Sequence, residues 1–455
     1  MNYESVDPST GESVERFEVA TASELENALD SATEAFSGWR SRPLGERTGH
    51  VERLADLLES RAVELAGLMA REMGKPLAEG RAEAAKCAWV CRYYAENAAS
   101  FLDPVPLHSD GSEAWVRYDP LGPILAIMPW NFPFWQFFRF AAPALAAGNV
   151  ALLKHSPNTP RCARRIETLA LEAGLPTGVV RNLFLTDEQA AHTIADPRVR
   201  GVTFTGSTRS GKQVAAVAGA HMKPIVLELG GNDPFVVFED ADLDSALDTA
   251  VTSRCLNSGQ SCIAAKRFLV QAPVFEAFRD GLVERMSSLT MGNPAENRVQ
   301  LGPLARRDLR DRLADQVART VALGARALCG GEVPVRDGFF YPATVLVDAP
   351  ADSPAATEEL FGPVASLFPF DTEDDAVAMA NGTGYGLGAG VWTADRERAE
   401  RLVRELESGA VFVNGLVKSD PRLPFGGVKD SGHGRELGRD GMLEFVNRKT
   451  VWVGA

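Results

Sequence analysis

The chain has 455 residues, with 45% hydrophobic and 24% charged side chains, so it can bury the cores of two or three domains. Its 47 basic against 61 acidic residues give a net charge of −14. That balance argues against a nucleic-acid binder and an anionic-membrane binder, though a local arginine can still receive a small anionic substrate.

In chain order, the start from Met1 to Glu12 is polar and acidic, with no basic and apolar leader pattern. Residues 45–73 read as one amphipathic helix, because Val51, Leu54, Leu58, Leu65, Leu68 and Met69 recur at helical steps. A second helix follows over 77–101. The most apolar stretch, Leu121 to Phe138, is interrupted by Pro123, Pro129 and Pro133, so it reads as a strand, a loop and a helix and not as a membrane span.

Strand-like Ile124–Pro129 leads into a helix through Ala147, then strand-like Val150–Lys154 and a helix over 160–173. Strand-like Val180–Leu185, Val202–Thr205, Ile225–Leu229 and Phe235–Phe238 follow. After Gly230–Gly231 the alternation resumes, with helices at 241–256, 273–289 and 305–323 and strands at 267–271, 343–347, 365–370, 389–392 and 410–414. Strands alternating with helices predict two doubly wound α/β domains in series.

Three segments could carry chemistry. Asn257-Ser258-Gly259-Gln260-Ser261-Cys262 places a thiol in a small polar loop between a helix and a strand. Such a thiol is a nucleophile where its pKa falls, and otherwise a buried structural cysteine. Leu227-Glu228-Leu229-Gly230-Gly231 sets a carboxylate in an apolar strand, where burial raises its pKa toward that of a general base, unless a buried arginine pairs it. Pro129-Trp130-Asn131-Phe132-Pro133 offers one amide at a strand exit, as an oxyanion donor or as part of a turn.

Gly206 to Gln213 nearly matches a phosphate-binding loop, but Gln213 stands where such a loop needs Ser or Thr for magnesium. What remains is a helix N-terminus suited to a phosphate. Gly382 to Gly388 is glycine-rich without a dinucleotide fingerprint and reads as a flexible turn. The six cysteines and six histidines are scattered and predict neither a disulfide framework nor a metal site, with a reducing cytoplasm as the expected location.

Together PWNFP at 129–133, LELGG at 227–231, GQSC at 259–262, EELFGPV at 358–364 and PFGGVK at 424–429 resemble the aldehyde dehydrogenase superfamily, in order and spacing, across nearly the whole chain. MPWNFPFWQ, LLKHS, GQSCIAAKRF and VNGLVKSDPRLPFGGVK look closest to its succinate-semialdehyde branch. The resemblance implies a Rossmann-like cofactor domain (1–108 and 120–230), an α/β catalytic domain (231–410), a segment returning to the cofactor domain (411–446) and a β oligomerisation arm (109–119 and 447–455). It also implies a homodimer or homotetramer. Cys262 then matches the nucleophile, Glu228 the base that hydrolyses the thioester, and Asn131, with the Cys262 N–H, the oxyanion hole. Trp130, Lys154, Ser156, Pro157, Gly206, Ser207, Leu229, Glu359 and Phe361 match positions around the nicotinamide cofactor.

Two departures bear on specificity. Family members often carry Glu where this chain has Pro157, and that carboxylate repels a 2′-phosphate; its loss favours NADP, with NAD also accepted. The arginine that the succinate-semialdehyde branch places six residues before the nucleophile is Leu256 here. Arg139 and Ser419 are therefore expected to bind a distal substrate carboxylate, Arg139 carrying most of it, with a structural ion pair or cation–π contact as the other reading of Arg139. Arg254 and Arg422 are further candidates. The expected reaction is oxidation of succinate semialdehyde to succinate. Alternatives are the same chemistry on another small aldehyde, a non-redox cysteine hydrolase, and a binding protein that keeps the fold.

Overall fold

Five apolar runs of the first half pair side by side in the computed structural model, which describes residues 3–454. Met1, Asn2 and Ala455, which the expected cofactor segment and arm include, lie outside the described residues. Across this sheet the parallel strands run Ile225–Glu228, Gly201–Thr205, Pro123–Met128, Val150–His155 and Val180–Asn182. A short antiparallel strand, Gly432–His433, closes the edge beside Ile225–Glu228 and brings the C-terminal segment back to this sheet. Pro123–Met128 and Val150–His155 are buried at every position, which is why they read as continuous hydrophobic runs.

The chain order reverses between Pro123–Met128 and Gly201–Thr205. Ligands of open α/β sheets bind outside the carboxyl ends of strands at such a switch point. Pro129-Trp130-Asn131 leaves one of these strands and Gly206-Ser207 the other, so topology alone aims both loops at one crevice.

A second sheet has seven strands, in the order Arg326–Cys329, Thr344–Val347, Val364–Phe370, Arg267–Gln271, Pro234–Val237, Gly388–Trp392 and Ala410–Val413. All its pairings are parallel except that of Arg326–Cys329 with Thr344–Val347. Gly230–Gly231 lies between the last parallel strand of the first sheet and Pro234–Val237 of the second. A three-stranded antiparallel ribbon of Val446–Val453, Glu113–Pro120 and Val105–Pro106 stands apart from both sheets. No helix among the described residues is long and apolar enough to cross a membrane.

Several local readings change. The expected helix over 45–73 is two, Leu44–Ser60 and Ala62–Met73, because Arg61 leaves helical geometry at φ −100°, ψ 11°. Its hydrophobic period continues through the break, so pattern alone hides it. A hairpin of Tyr3–Asp7 with Glu12–Phe17 and a helix over Ala22–Arg40 were not expected. The helix carries a reciprocal Thr21–Glu24 capping box, the readable signal of its start. The expected strand over 180–185 stops at Asn182. The glycine-rich 382–388 segment is not a free turn: Tyr385–Gly386 pairs with Val428–Lys429, and a Cβ on Gly386 would lie 2.4 Å from the Glu407 carbonyl oxygen.

Candidate active site

Cys262 follows the helix Leu243–Cys255 through a tight loop in which Asn257 (φ 56°) and Ser258 (φ 54°) both adopt left-handed geometry. Two successive non-glycine residues there cost about 1–3 kcal/mol each and persist only where surroundings hold them. The next residue, Gly259, also has positive φ, and a Cβ on it would meet the Gly362 backbone at 2.3 Å. From below, the buried guanidinium of Arg254 donates to the carbonyls of Gly259 (2.6 Å) and Ala265 (3.1 Å). Arg254 thus supports the Cys262 loop, and its guanidinium is engaged by main-chain carbonyls.

The loop also carries the amide of Asn131. Asn131 Nδ2 donates to the Gln260 carbonyl at 3.1 Å, while Asn257 Nδ2 donates to the Asn131 carbonyl at 2.7 Å and to Gln260 O at 3.1 Å. Gln260 accepts the Ala305 N–H on its own amide oxygen at 2.8 Å. Asn131 and the cysteine loop are therefore one hydrogen-bonded unit drawn from segments far apart in sequence, a link no local pattern reveals.

Cys262 and Asn131 share a cleft with Trp130, Gly206, Ser207, Leu229, Glu359 and Phe361. Trp130 and Phe361 meet edge to face, with centroids 5.8 Å apart. Glu359 accepts the Gly231 N–H at 3.1 Å and lies 3.4 Å from Lys266 Nζ, which also donates to the Cys262 carbonyl at 2.6 Å. The glycines before Asn232 allow this closeness, since a Cβ on Gly231 would stand 2.8 Å from Cys262 O. Ser207 caps the helix Thr208–Ala220, whose first N–H groups lack intrahelical acceptors and open at the switch point.

Lys154, Ser156 and Pro157 lie at the exit of the neighbouring strand and do not line this cleft. Lys154 is buried, 3.5 Å from the exposed Asp187 carboxylate, and burial lowers its pKa. Ser156 donates to Asn158 Oδ1 at 2.6 Å. The carbonyl of Pro157 accepts the Glu4 N–H at 3.0 Å.

Burial pushes the Cys262 thiol up to about 11, opposed by the nearby positive charges of Arg139 and Lys266. Glu228, at the end of its strand, is fully buried with neither carboxyl oxygen hydrogen-bonded. Desolvation holds it well above the usual carboxylate range, with Arg139 pulling it down and Glu436 pushing it up. Both shifts favour the protonated form.

Arg139 already has partners within the fold. Its guanidinium is 2% exposed, ion-paired with Glu436, and donates to Thr205 Oγ1 at 3.2 Å, with the Phe425 ring 5.1 Å away. Its charge is already compensated within the protein, so it does not need a substrate carboxylate. Arg422 is likewise taken by Asp420, at 2.7 and 2.8 Å.

Ser419 has a partner the sequence reading missed. Lys86 Nζ donates to Ser419 Oγ at 2.8 Å and stands 4.2 Å from the Trp135 ring centroid. No acidic group lies within ion-pair range of this ammonium among the described residues. Burial, then the charge of Arg139, lowers it to about 8. The available signal was a lysine inside an otherwise buried helical face, between Glu83, Cys87 and Val90.

Comparison with known proteins places this geometry. The sequence profile described as "Aldehyde dehydrogenase family" matches residues 1–451. The chain is 48% identical over 453 residues to a "Probable succinate-semialdehyde dehydrogenase, NADP(+)" of a Synechocystis strain, covering all of both chains. It is 47% identical over 456 residues to a "Succinate-semialdehyde dehydrogenase, NADP(+), 1" of Mycobacterium tuberculosis, again over the whole of both. Among solved structures it is similar to the succinic semialdehyde dehydrogenase of Streptococcus pyogenes in complex with NADP+, with a TM-score of 0.97, 35% identity and complete coverage of both chains.

Proposed function

The chain belongs to the aldehyde dehydrogenase family, and on that premise we propose that it oxidises succinate semialdehyde to succinate with NADP as electron acceptor. The observation that carries the substrate reading is the Lys86–Ser419 pair, a cation without an acidic partner beside a hydroxyl. Arg139 connects it to the chemistry, because its charge bears on both Lys86 and Cys262. The substrate's distal carboxylate meets Lys86 and Ser419, and its aldehyde meets Cys262. The full-length likeness to relatives carrying that name supports the same reading.

The residues fit a dinucleotide. A helix N-terminus opens at a switch-point crevice, an aromatic pair flanks it, and no carboxylate stands at 157 to oppose a 2′-phosphate. When bound, the cofactor supplies a two-electron hydride acceptor. The protein's part is nucleophile, donor and base. The thiol of Cys262, once deprotonated, adds to the aldehyde carbon, and the second Nδ2 proton of Asn131 meets the developing oxyanion. After oxidation to the thioester, Glu228 takes a proton from the attacking water and frees succinate. We place the enzyme in the cytoplasm, as a homodimer or homotetramer assembled through the Val446–Val453 ribbon.

Reduced-cofactor formation with a panel of aldehydes tests this reading directly. Succinate semialdehyde should be the best substrate, and Lys86→Met should lower its kcat/KM by about 10- to 150-fold, the value of a charge-assisted hydrogen bond. Butanal should change far less. An equal loss on both would remove the carboxylate assignment.

Three further results are expected. At saturating aldehyde, kcat should climb as pH rises above neutrality, because both raised groups, Cys262 and Glu228, act only after losing a proton. Glu228→Gln should give a burst of reduced cofactor followed by slow turnover; stopped-flow absorbance without a burst would deny Glu228 the hydrolytic step. Pro157→Glu should shift the NADP/NAD ratio of kcat/KM toward NAD by roughly tenfold or more through like-charge repulsion.

A further inference from the structure

One short stretch of chain touches both halves of the catalytic unit. Lys75 precedes the helix Leu77–Phe101, and Glu79 and Glu83 sit one turn apart on it. Glu79 Oε2 accepts the main-chain N–H of Asn257 at 2.7 Å, in the left-handed turn that presents Cys262. Glu83 Oε1 accepts the N–H groups of Phe134 (2.9 Å) and Trp135 (3.0 Å), just beyond Asn131. Lys75 forms a fully buried ion pair with Glu83 and stands 3.9 Å from the centroid of the Phe132 ring. Asn257 closes the circuit through its bond to the Asn131 carbonyl.

We propose that Glu79 is a positioning residue for the reaction: it holds Asn257 in its left-handed turn and, with the Lys75–Glu83 pair on the same helix, fixes the Cys262 loop relative to Asn131. Asn257 holds a left-handed conformation, which side chains other than glycine enter rarely though asparagine more readily than most, and its N–H there meets a carboxylate acceptor aimed from outside the loop. The loop's own carbonyls at Gly259 and Gln260 receive Arg254, Asn131 and Asn257, while the Asn257 N–H is received by Glu79. Glu79 belongs to neither of the two large sheets. Its reach across to the loop ties nucleophile placement to the helix that also anchors the amide donor's segment. Glu79 touches no reacting atom and acts through Asn257.

The proposal rests on Cys262 as the nucleophile, and the test separates the two. Wild type, Glu79→Ala and Glu79→Gln are compared at saturating NADP for kcat and KM with succinate semialdehyde, and without cofactor for the rate of Cys262 alkylation by iodoacetamide. Glu79→Ala should lower kcat by roughly tenfold, the scale of one charge-assisted hydrogen bond, with cofactor KM within about twofold. Alkylation of Cys262 should change with it. Glu79→Gln keeps an acceptor oxygen and should recover kcat to within about threefold of wild type, because a neutral bond retains part of the interaction. An unchanged kcat in Glu79→Ala overturns the proposal. So does a loss shared by cofactor KM and the thermal midpoint that glutamine does not rescue, which would mark Glu79 as general scaffolding. If the alanine variant does not fold, Glu79→Met, which keeps the length of the side chain but offers no oxygen acceptor, takes its place: a fall in kcat at unchanged cofactor KM supports the role, and wild-type kcat overturns it. Cys262→Ala, run alongside, reports separately on the nucleophile: turnover in that variant ends the reading of Cys262 whatever Glu79 does.

Discussion

Cys262→Ala should lose dehydrogenase turnover by a factor on the order of 10^4 or more, the scale seen when a covalent nucleophile is removed. The effect is large because no other side chain can take over. The five remaining cysteines are Cys87, Cys91, Cys162, Cys255 and Cys329; the first four are buried, and none of the five lines the cleft. Without the thiolate no bond forms to the aldehyde carbon, and the carbon cannot reach the tetrahedral state from which hydride leaves. Folding should be untouched. Cys262 is partly exposed, its Sγ makes no hydrogen bond among the described residues, and the loop is held by its backbone through Arg254, Asn257 and Lys266. The thermal midpoint and NADP binding, measured by cofactor fluorescence, should match wild type. Substantial residual turnover would show that hydride leaves a hydrated aldehyde directly, and Cys262 would no longer be the nucleophile.

The same residue shows what could and could not be read in advance. The strands at Pro123–Met128 and Val150–His155 were legible because both faces are buried and the apolar runs are unbroken. The switch point was not, since it depends on which strands become neighbours. Cys262, Glu228 and Asn131 were each ambiguous alone and gained meaning from their common spacing with a family. The network that joins Asn131 to Asn257 and Gln260 crosses 126 to 129 positions of sequence, and nothing local encodes it. Lys86 was missed for a related reason. A lysine on a helix is ordinarily solvated by its own reach, and only the fold places Trp135 and Ser419 around its ammonium.

A guanidinium among aromatic rings needs a partner, and for Arg139 that partner lies 297 positions away at Glu436. The consequence is a second large effect. Arg139→Ala should destabilise the protein by about 3–5 kcal/mol, because it leaves Glu436 buried and uncompensated. That is a sizeable part of the roughly 5–15 kcal/mol that holds a typical domain folded. Catalysis should suffer as well. Arg139 is the leading favourable charge on both Glu228 and Cys262, so its loss drives both groups further from their working ionised forms. The fall in kcat/KM should therefore be similar for succinate semialdehyde and butanal, in contrast to Lys86→Met. Arg139→Met combined with Glu436→Gln should recover most of the thermal midpoint by removing the orphaned charge, yet not the rate, because the field on Glu228 and Cys262 stays absent. Thermal unfolding and paired kinetics on the two aldehydes read both effects. A loss confined to succinate semialdehyde, with an unchanged midpoint, would return the guanidinium to the substrate and make the Glu436 pair a resting-state contact.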